Sequence, residues 1–356
     1  MPSRDAASPD TSFTVQARTT IADVARQAGV SKATVSRFLN HRETLLTRDI
    51  ASRVEAAIAA LGYTPSPMAQ ALKRGRSRLI GLVVADVTNP FSVAVLRGAE
   101  KACQEAGYLV MLFNLGNESE REREAIEALA SYQVEGFILN TLGRDPSAAL
   151  EAARHGKPVV LVDRRHSEMR ADFVSLDNAE AVRTAGRHLV DSGYRELMYV
   201  SEPLHNVSSR IEREAAFRAF AASQDAGVAG RTLEVEDADT SALEAALREL
   251  KRRAGRRPPA VLAGNAVIAL RVAKAVATLG WHFGTDLGFV GFDETEWAPL
   301  IGPGLSTIAQ PTDDLGRVAA SCLLERLQGR VLPPRQILLP GHLVARGSSR
   351  RRGKED

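Results

Sequence analysis

From Leu79 onward the chain repeats one pattern, a short apolar run followed by an amphipathic stretch with helical spacing. LIGLVVAD, YLVMLFN, VEGFILN, PVVLVD, FVSLD, LMYVS, TLEVE, AVLAGN and LGFVGFD read as strands, and most are separated by helical stretches beginning at Ser92, Glu118, Ala179, Arg210, Thr240 and Val267. Such alternation predicts parallel sheets with helices on both faces. Roughly 270 residues is too much for one compact open sheet, so two lobes of similar topology are expected. Ligands in these folds bind beyond the carboxyl ends of the strands, here between the lobes.

The segment before Leu79 follows different rules. Residues 1–18 mix Ser, Thr, Pro, Asp and Ala without periodicity and read as a disordered leader. TTIADVARQAG then predicts a helix capped by Thr20, with Ile21, Val24, Ala25 and Ala28 on one face and Gly29 as its stop. Ser31 can cap a second helix that buries Val35, Phe38 and Leu39 and turns Lys32, Ala33, Ser36, Arg37 and Asn40 outward. A third runs from Thr47 to Gly62 along Ile50, Val54, Ile58 and Leu61. Two helices joined by a Gly turn with a third closing the core describe an all-α helix-turn-helix module over residues 19–62. Short polar and basic residues on its second helix suit phosphate contact and base reading in a major groove.

Residues 63–78, YTPSPMAQALKRGRSR, read as a hinge in which Ser66 and Pro67 can start little more than one turn of helix. Between Thr19 and Arg78 ten Lys/Arg stand against four Asp/Glu, a surplus of +6, while residues 79–356 carry −3. A basic head on a mildly acidic body fits one domain meeting a polyanion, or a solvated basic face.

The 356 residues, 44% hydrophobic and 25% charged, argue for two or three globular domains. No apolar run approaches the ~18 residues of a membrane span, and no secretory signal opens the chain, so a cytoplasmic protein is expected. Cys103 and Cys322 sit in apolar helical stretches and read as buried thiols. No nucleophile elbow, phosphate-binding G-x-x-x-x-G-K, His-Glu-x-x-His or cysteine pair is present, so neither an enzyme nor a metal or other cofactor is expected.

TIADVARQAGVSKATVSRFLN, followed by LGYTPSPMAQALKRGRSRLIGLVVADVTNPF and, in order, PVVLVDR, VGFDE and STIAQP, closely resembles the lac-repressor (LacI/GalR) family of bacterial transcription regulators. The resemblance implies a head joined through a hinge helix to a two-lobed α/β core related to periplasmic sugar-binding proteins, acting as a homodimer or tetramer on palindromic operator DNA. It implies an N-lobe of about 79–176 and 312–332, a C-lobe of about 177–311 and 333–347, and a disordered basic tail over 348–356. Thr20, Thr34, Ser36, Arg37 and Asn40 match DNA-contacting positions of the family, and Lys32 and Ala33 fall where sequence preference varies. Ala69, Gln70 and Leu72 match the hinge, with Leu72 at the minor-groove wedge. Ser66 and Pro67 replace the usual Asn-Ala, and Gln70 stands where many members have Arg, which implies weaker or differently selective minor-groove contacts.

For the core, the resemblance implies an effector site containing Asn89, Phe91, Asp163, Arg164, Ser208, Ser209, Arg210, Arg213, Asn265, Asp293, Trp297 and Gln310. Asp163 and Asp293 match positions that hold polyol hydroxyls, and Arg213 matches the arginine that most members point at their effector. Each aspartate alone could equally be a structural cap, as could Asp177 or Asn178, and Trp297 could stack on a sugar or simply pack. Asn265 is followed by Ala266 where most members have Asp, which removes an acid, while Arg210 adds a guanidinium at a helix start. That balance favours an acidic sugar. VSEPLHNVSSRIERE, GFDETEWAPLIGPGLSTIAQP and HLVARGSS look most like the 2-ketogluconate-responsive members; 2-keto-3-deoxygluconate, gluconate or a neutral sugar are the alternatives, and a sugar-binding protein without a regulatory role is a further one. Release of DNA on effector binding is the family's commoner behaviour.

Overall fold

The computed structural model describes residues 19–40, 46–65, 76–118, 120–142, 145–166, 168–205, 207–224, 227–236 and 240–351, in two compact units divided at Ser77 and Arg78. In the first unit, α1 (Ile21–Ala28), α2 (Lys32–Leu39) and α3 (Arg48–Leu61) pack around Val24, Val35 and Val54, with Phe38, Ile50 and Tyr63 on the flanks. Their ends follow the sequence. Ser31 Oγ accepts the Thr34 N–H at 3.1 Å and Thr47 Oγ1 that of Ile50 at 3.4 Å, while Gly29 and Gly62 close α1 and α3 in the left-handed region that glycine enters without strain. Thr20 heads α1 differently: its hydroxyl and backbone N–H both donate to Asp23, at 2.6 and 3.0 Å.

The second unit holds two six-stranded sheets. β1 (Leu79–Val84), β2 (Leu109–Asn114), β3 (Gly136–Asn140), β4 (Val159–Val162), β5 (Asp172–Leu176) and β11 (Gln336–Leu339) form the N-lobe sheet in the order β11-β5-β4-β3-β1-β2. β6 (Glu196–Ser201), β7 (Ala229–Glu234), β8 (Pro259–Ala263), β9 (Gly288–Phe292), β10 (Ser306–Ala309) and β12 (His342–Val344) form the C-lobe sheet in the order β12-β10-β9-β8-β6-β7. Pairing is parallel except between β12 and β10. The central strands are buried on both faces because α4 (Pro90–Glu105), α5 (Arg121–Ser131), α6 (Ser147–Arg154) and α11 (Thr312–Leu327) cover the first sheet. α7 (Asn178–Asp191), α8 (Ser208–Ala222), α9 (Ser241–Ala254) and α10 (Ala266–Thr278) cover the second. The chain passes between lobes after β5, after β10 and after β11.

Four features depart from what periodicity and resemblance predict. Residues 336–339 pair with β5 and so complete the N-lobe, whereas the resemblance places 333–347 in the C-lobe. The tail does not begin at Ser348: Ser348 and Ser349 are fully buried, Ser348 Oγ accepting the Ser306 N–H at 2.7 Å and donating to the Phe289 carbonyl at 2.9 Å. The seventh strand begins at Ala229, three residues before TLEVE, because it runs in register with β6 from Glu196↔Ala229 onward. α6 had no counterpart in the sequence periodicity.

Candidate functional site

On the head, α2 presents Lys32, Ala33 and Arg37 to solvent and leaves Thr34, Ser36 and Asn40 half-buried beside them. Asn40 Nδ2 donates to the Ser36 carbonyl at 2.5 Å, and Thr34 is tied to the Ser31 cap at 2.9 Å, so the face is ordered by its own polar residues. Thr20 is exposed at the start of α1. Ala69, Gln70 and Leu72 lie outside the described residues, as do Ser66 and Pro67.

In the core, β4 and β9 end alike, with Asp163 at φ 65° and Asp293 at φ 75°. A non-glycine residue held there costs about 1–3 kcal/mol and persists where the surroundings impose it. Here ladder bonds hold both, Asp163 N–H to the Val174 carbonyl at 2.9 Å and Asp293 N–H to that of Ile308 at 3.0 Å. The two carboxylates lie at the carboxyl ends of strands from different lobes, 6% and 7% exposed.

α8 supplies the groups that meet them. Ser209 Oγ donates to Asp163 Oδ2 at 3.1 Å across the cleft, and Ser208 Oγ accepts the Arg165 N–H at 2.8 Å. Arg213 is buried and fully engaged: Nε to Asn178 Oδ1 at 2.7 Å, Nη1 to the Gly264 carbonyl at 2.6 Å and Nη2 to Gln310 Oε1 at 3.4 Å. Its guanidinium lies 4.2 Å above the Phe292 ring and 3.9 Å from Asp163. Asp293 accepts the Ala266 N–H at 2.9 Å and Gln310 Nε2 at 2.5 Å; burial pushes its carboxyl pKa up, opposed by Arg213 and these hydrogen bonds.

A cavity of about 240 Å³ opens beside this cluster, lined by Asp86, Asn89, Arg164, Glu202, Arg210 and Arg271 among others. Arg210 donates to Glu202 at 2.7 Å and to the Pro203 carbonyl at 2.9 Å, and Asn265 Nδ2 donates to the same Glu202 oxygen at 2.6 Å. Arg164 Nη1 reaches the Thr141 carbonyl at 3.2 Å. Asn89 caps α4 by accepting the Phe91 N–H at 3.1 Å, and Phe91 itself is buried in the N-lobe core. Trp297 packs half-buried against the C-lobe core that contains Phe283 and Leu305.

Two residues of the site were not marked by sequence motifs. Glu202 restores an acid to the wall that Ala266 had vacated and neutralises Arg210, so the predicted surplus of positive charge does not arise from that pair. Its position directly after the strand LMYVS was the available signal. Asn178 is no cap: Asp177 accepts the Glu180 N–H at 2.9 Å, while Asn178 holds Arg213 and donates to Glu212 at 2.9 Å.

Comparison with known proteins places the two units in known families. The model of bacterial regulatory proteins of the lacI family matches residues 20–66, and that of the periplasmic binding protein-like domain matches residues 187–349. The HTH-type transcriptional regulator PtxS of Pseudomonas plecoglossicida is 46% identical over 336 residues, covering 94% of this chain and 97% of that protein. The HTH-type transcriptional regulator KdgR of Bacillus subtilis is 39% identical over 330 residues, covering 93% and 97%. Among solved structures, the lac repressor dimer bound to operator and the anti-inducer ONPF superposes with a TM-score of 0.79 at 27% identity, covering 94% of this chain and 99% of that one. With a capped helix-turn-helix head, a two-sheet periplasmic-binding-like core and relatives of this identity along nearly its whole length, the chain belongs to the LacI family of transcriptional regulators.

Proposed function

We propose that this regulator is a cytoplasmic homodimeric repressor whose operator affinity is set by a sugar acid of the 2-ketogluconate type bound between the lobes, acting by binding and not by catalysis. One observation carries the ligand reading: Asp163 and Asp293, from opposite lobes, converge with Arg164 and Arg213 at buried strand ends beside a polar cavity. Carboxylates accept hydrogen bonds from vicinal hydroxyls and guanidiniums take a carboxylate, so the set suits a polyhydroxy acid. The resemblance of VSEPLHNVSSRIERE and its companion segments to 2-ketogluconate-responsive regulators supports the same class. Gln310 and Asn265 complete its polar wall, and Ser208 and Ser209 secure the lobes against each other.

On the head, Lys32 and Ala33 read base edges while Thr20, Thr34, Ser36, Arg37 and Asn40 contact phosphates and bases. A ligand touching both lobes favours one of their arrangements, and a hundredfold change in DNA affinity needs a preference of about 2.7 kcal/mol. A charged bidentate contact is of that order.

The test is a thermal-shift screen across aldonic and ketoaldonic acids, followed by gel shifts on the protein's own upstream DNA. The expected result is stabilisation by 2-ketogluconate and its release of the complex. Stabilisation by neutral glucose alone, or by none of the acids, would refute the effector class.

A further inference from the structure

Two neighbouring residues leave complementary buried atoms without hydrogen-bond partners: Asp163 Oδ1, an acceptor, and Arg164 Nε, a donor. Native interiors satisfy almost all such groups, and each exception at a cleft calls for an occupant that supplies what is missing. The other cleft arginines do not share this property. Arg213 uses Nε and both terminal nitrogens on protein acceptors, and Arg210 is held by Glu202 and Pro203. Arg164 spends only Nη1, on Thr141, and its Nε stands 3.6 Å from Asp163 Oδ2, beyond hydrogen-bonding distance. Asp163 Oδ2 is itself occupied by Ser209.

The Nε and Nη2 edge of a guanidinium is the fork that grips both oxygens of a carboxylate. The left-handed backbone at Asp163 ends the strand's alternation, Arg164 lines the cavity, and the buried Asp163 carboxylate lies directly behind it, 3.6 Å from Arg164 Nε. We propose that Asp163 and Arg164 together read a carboxylate and the hydroxyl on its neighbouring carbon: Arg164 takes the carboxylate through Nε and Nη2, and the hydroxyl donates to Asp163 Oδ1. The assignment rests on the sugar-acid reading above and gives the carboxylate to Arg164 in preference to Arg213. Arg213 becomes a positioning residue that joins Asn178, Gly264 and Gln310 into one wall. Cyclic 2-ketoaldonic acids carry this unit as the C1 carboxylate and C2 hemiketal hydroxyl. Burial disfavours the charge of Arg164, with Arg210 and Arg213 adding to that effect and only Asp163 and Glu202 opposing it, so an arriving anion meets a guanidinium short of counter-charge.

The test titrates the full-length protein by calorimetry with 2-ketogluconate and with D-fructose, which carries CH₂OH in place of the carboxylate. Arg164→Met should lose roughly thirtyfold in affinity for the acid, with D-fructose affinity changing less than threefold, and Arg164→Lys should fall between wild type and Met because it keeps charge without the fork. Far-UV circular dichroism and urea midpoints check that both variants fold; if Met does not, the Lys variant's acid-to-fructose ratio decides. Unchanged acid affinity in the variants, or equal loss for both sugars, overturns the assignment while leaving the effector class standing. A wild-type protein that binds D-fructose and ignores the acid overturns both.

Discussion

Gly98 of α4 and Gly316 of α11 press against each other's helix backbones: a methyl group at Gly98 would collide with the Asp313 carbonyl oxygen, and one at Gly316 with that of Val95. Two helices therefore cross at backbone contact, and Arg97 brackets the crossing with two 2.8 Å hydrogen bonds to Asp313. α11 is the segment that returns to the N-lobe after the chain has built most of the C-lobe, so this crossing seats it.

Gly98→Ala and Gly316→Ala should each destabilise the protein by about 2–4 kcal/mol, because neither backbone can retreat without parting the helices. Urea unfolding measures this, and a loss below 1 kcal/mol would mean that the helices separate easily. Arg97→Ala should change little, since the pair is largely in solvent.

Asp172 joins β5 to the segment entering β11, with Arg326 and Arg335 both hydrogen-bonded to its buried carboxylate. Burial would raise its pKa, but these guanidiniums outweigh burial and hold it at about 2. A depressed carboxylate contributes stability above its unfolded pKa of about 3.9 and loses it as pH falls through the folded value. The contribution is about 2 kcal/mol, present at neutral pH and fading between about pH 4 and pH 2. Asp172→Asn should be less stable than wild type at pH 6, and the gap should narrow over that acid window; a gap independent of pH would refute the linkage.

Operator binding should weaken steeply with salt, as expected of the +6 segment neutralising phosphates. Ala33→Gln should shift the preferred half-site because Ala33 is exposed in the first turn of α2, whereas Arg37→Ala should weaken binding across sequences. Selection from randomised operators measures both, and an unchanged consensus for the Ala33 variant would show that α2 docks in another orientation.

Cys103 is fully buried in the N-lobe core, where burial pushes its thiol up to about 11, and burial raises Cys322 as well. Both should resist thiol reagents at pH 8 in the native protein and react promptly in denaturant. Rapid labelling of either without unfolding would contradict the packing of α4 and α11.

What the sequence revealed divides along physical lines. Caps, stops and apolar faces are local, so Ser31, Thr47, Gly29 and Gly62 could be read in place, as could the nine strands with runs of branched residues. Strands β11 and β12 are short edge elements, and β11 alternates between exposed and half-buried residues, so their membership depends on partners distant in the chain, β5 more than a hundred residues away for β11 and β10 for β12. Ser348 and Ser349 look like a polar tail because their burial is made tolerable by Ser306 and Phe289, far off in the chain. At the candidate site, residue type and resemblance singled out Asp163 and Arg213, but only geometry showed which guanidinium edges were already taken.

The threefold passage of the chain between lobes has a consequence for synthesis. Neither half of the core is covalently complete until late: the N-lobe awaits β11, and the C-lobe awaits β12 and the buried serines behind it. The head comes off the ribosome first and is a compact unit of its own, so it can fold while the core is still being translated. For that interval a nascent chain can carry a folded head with no completed cleft to govern it.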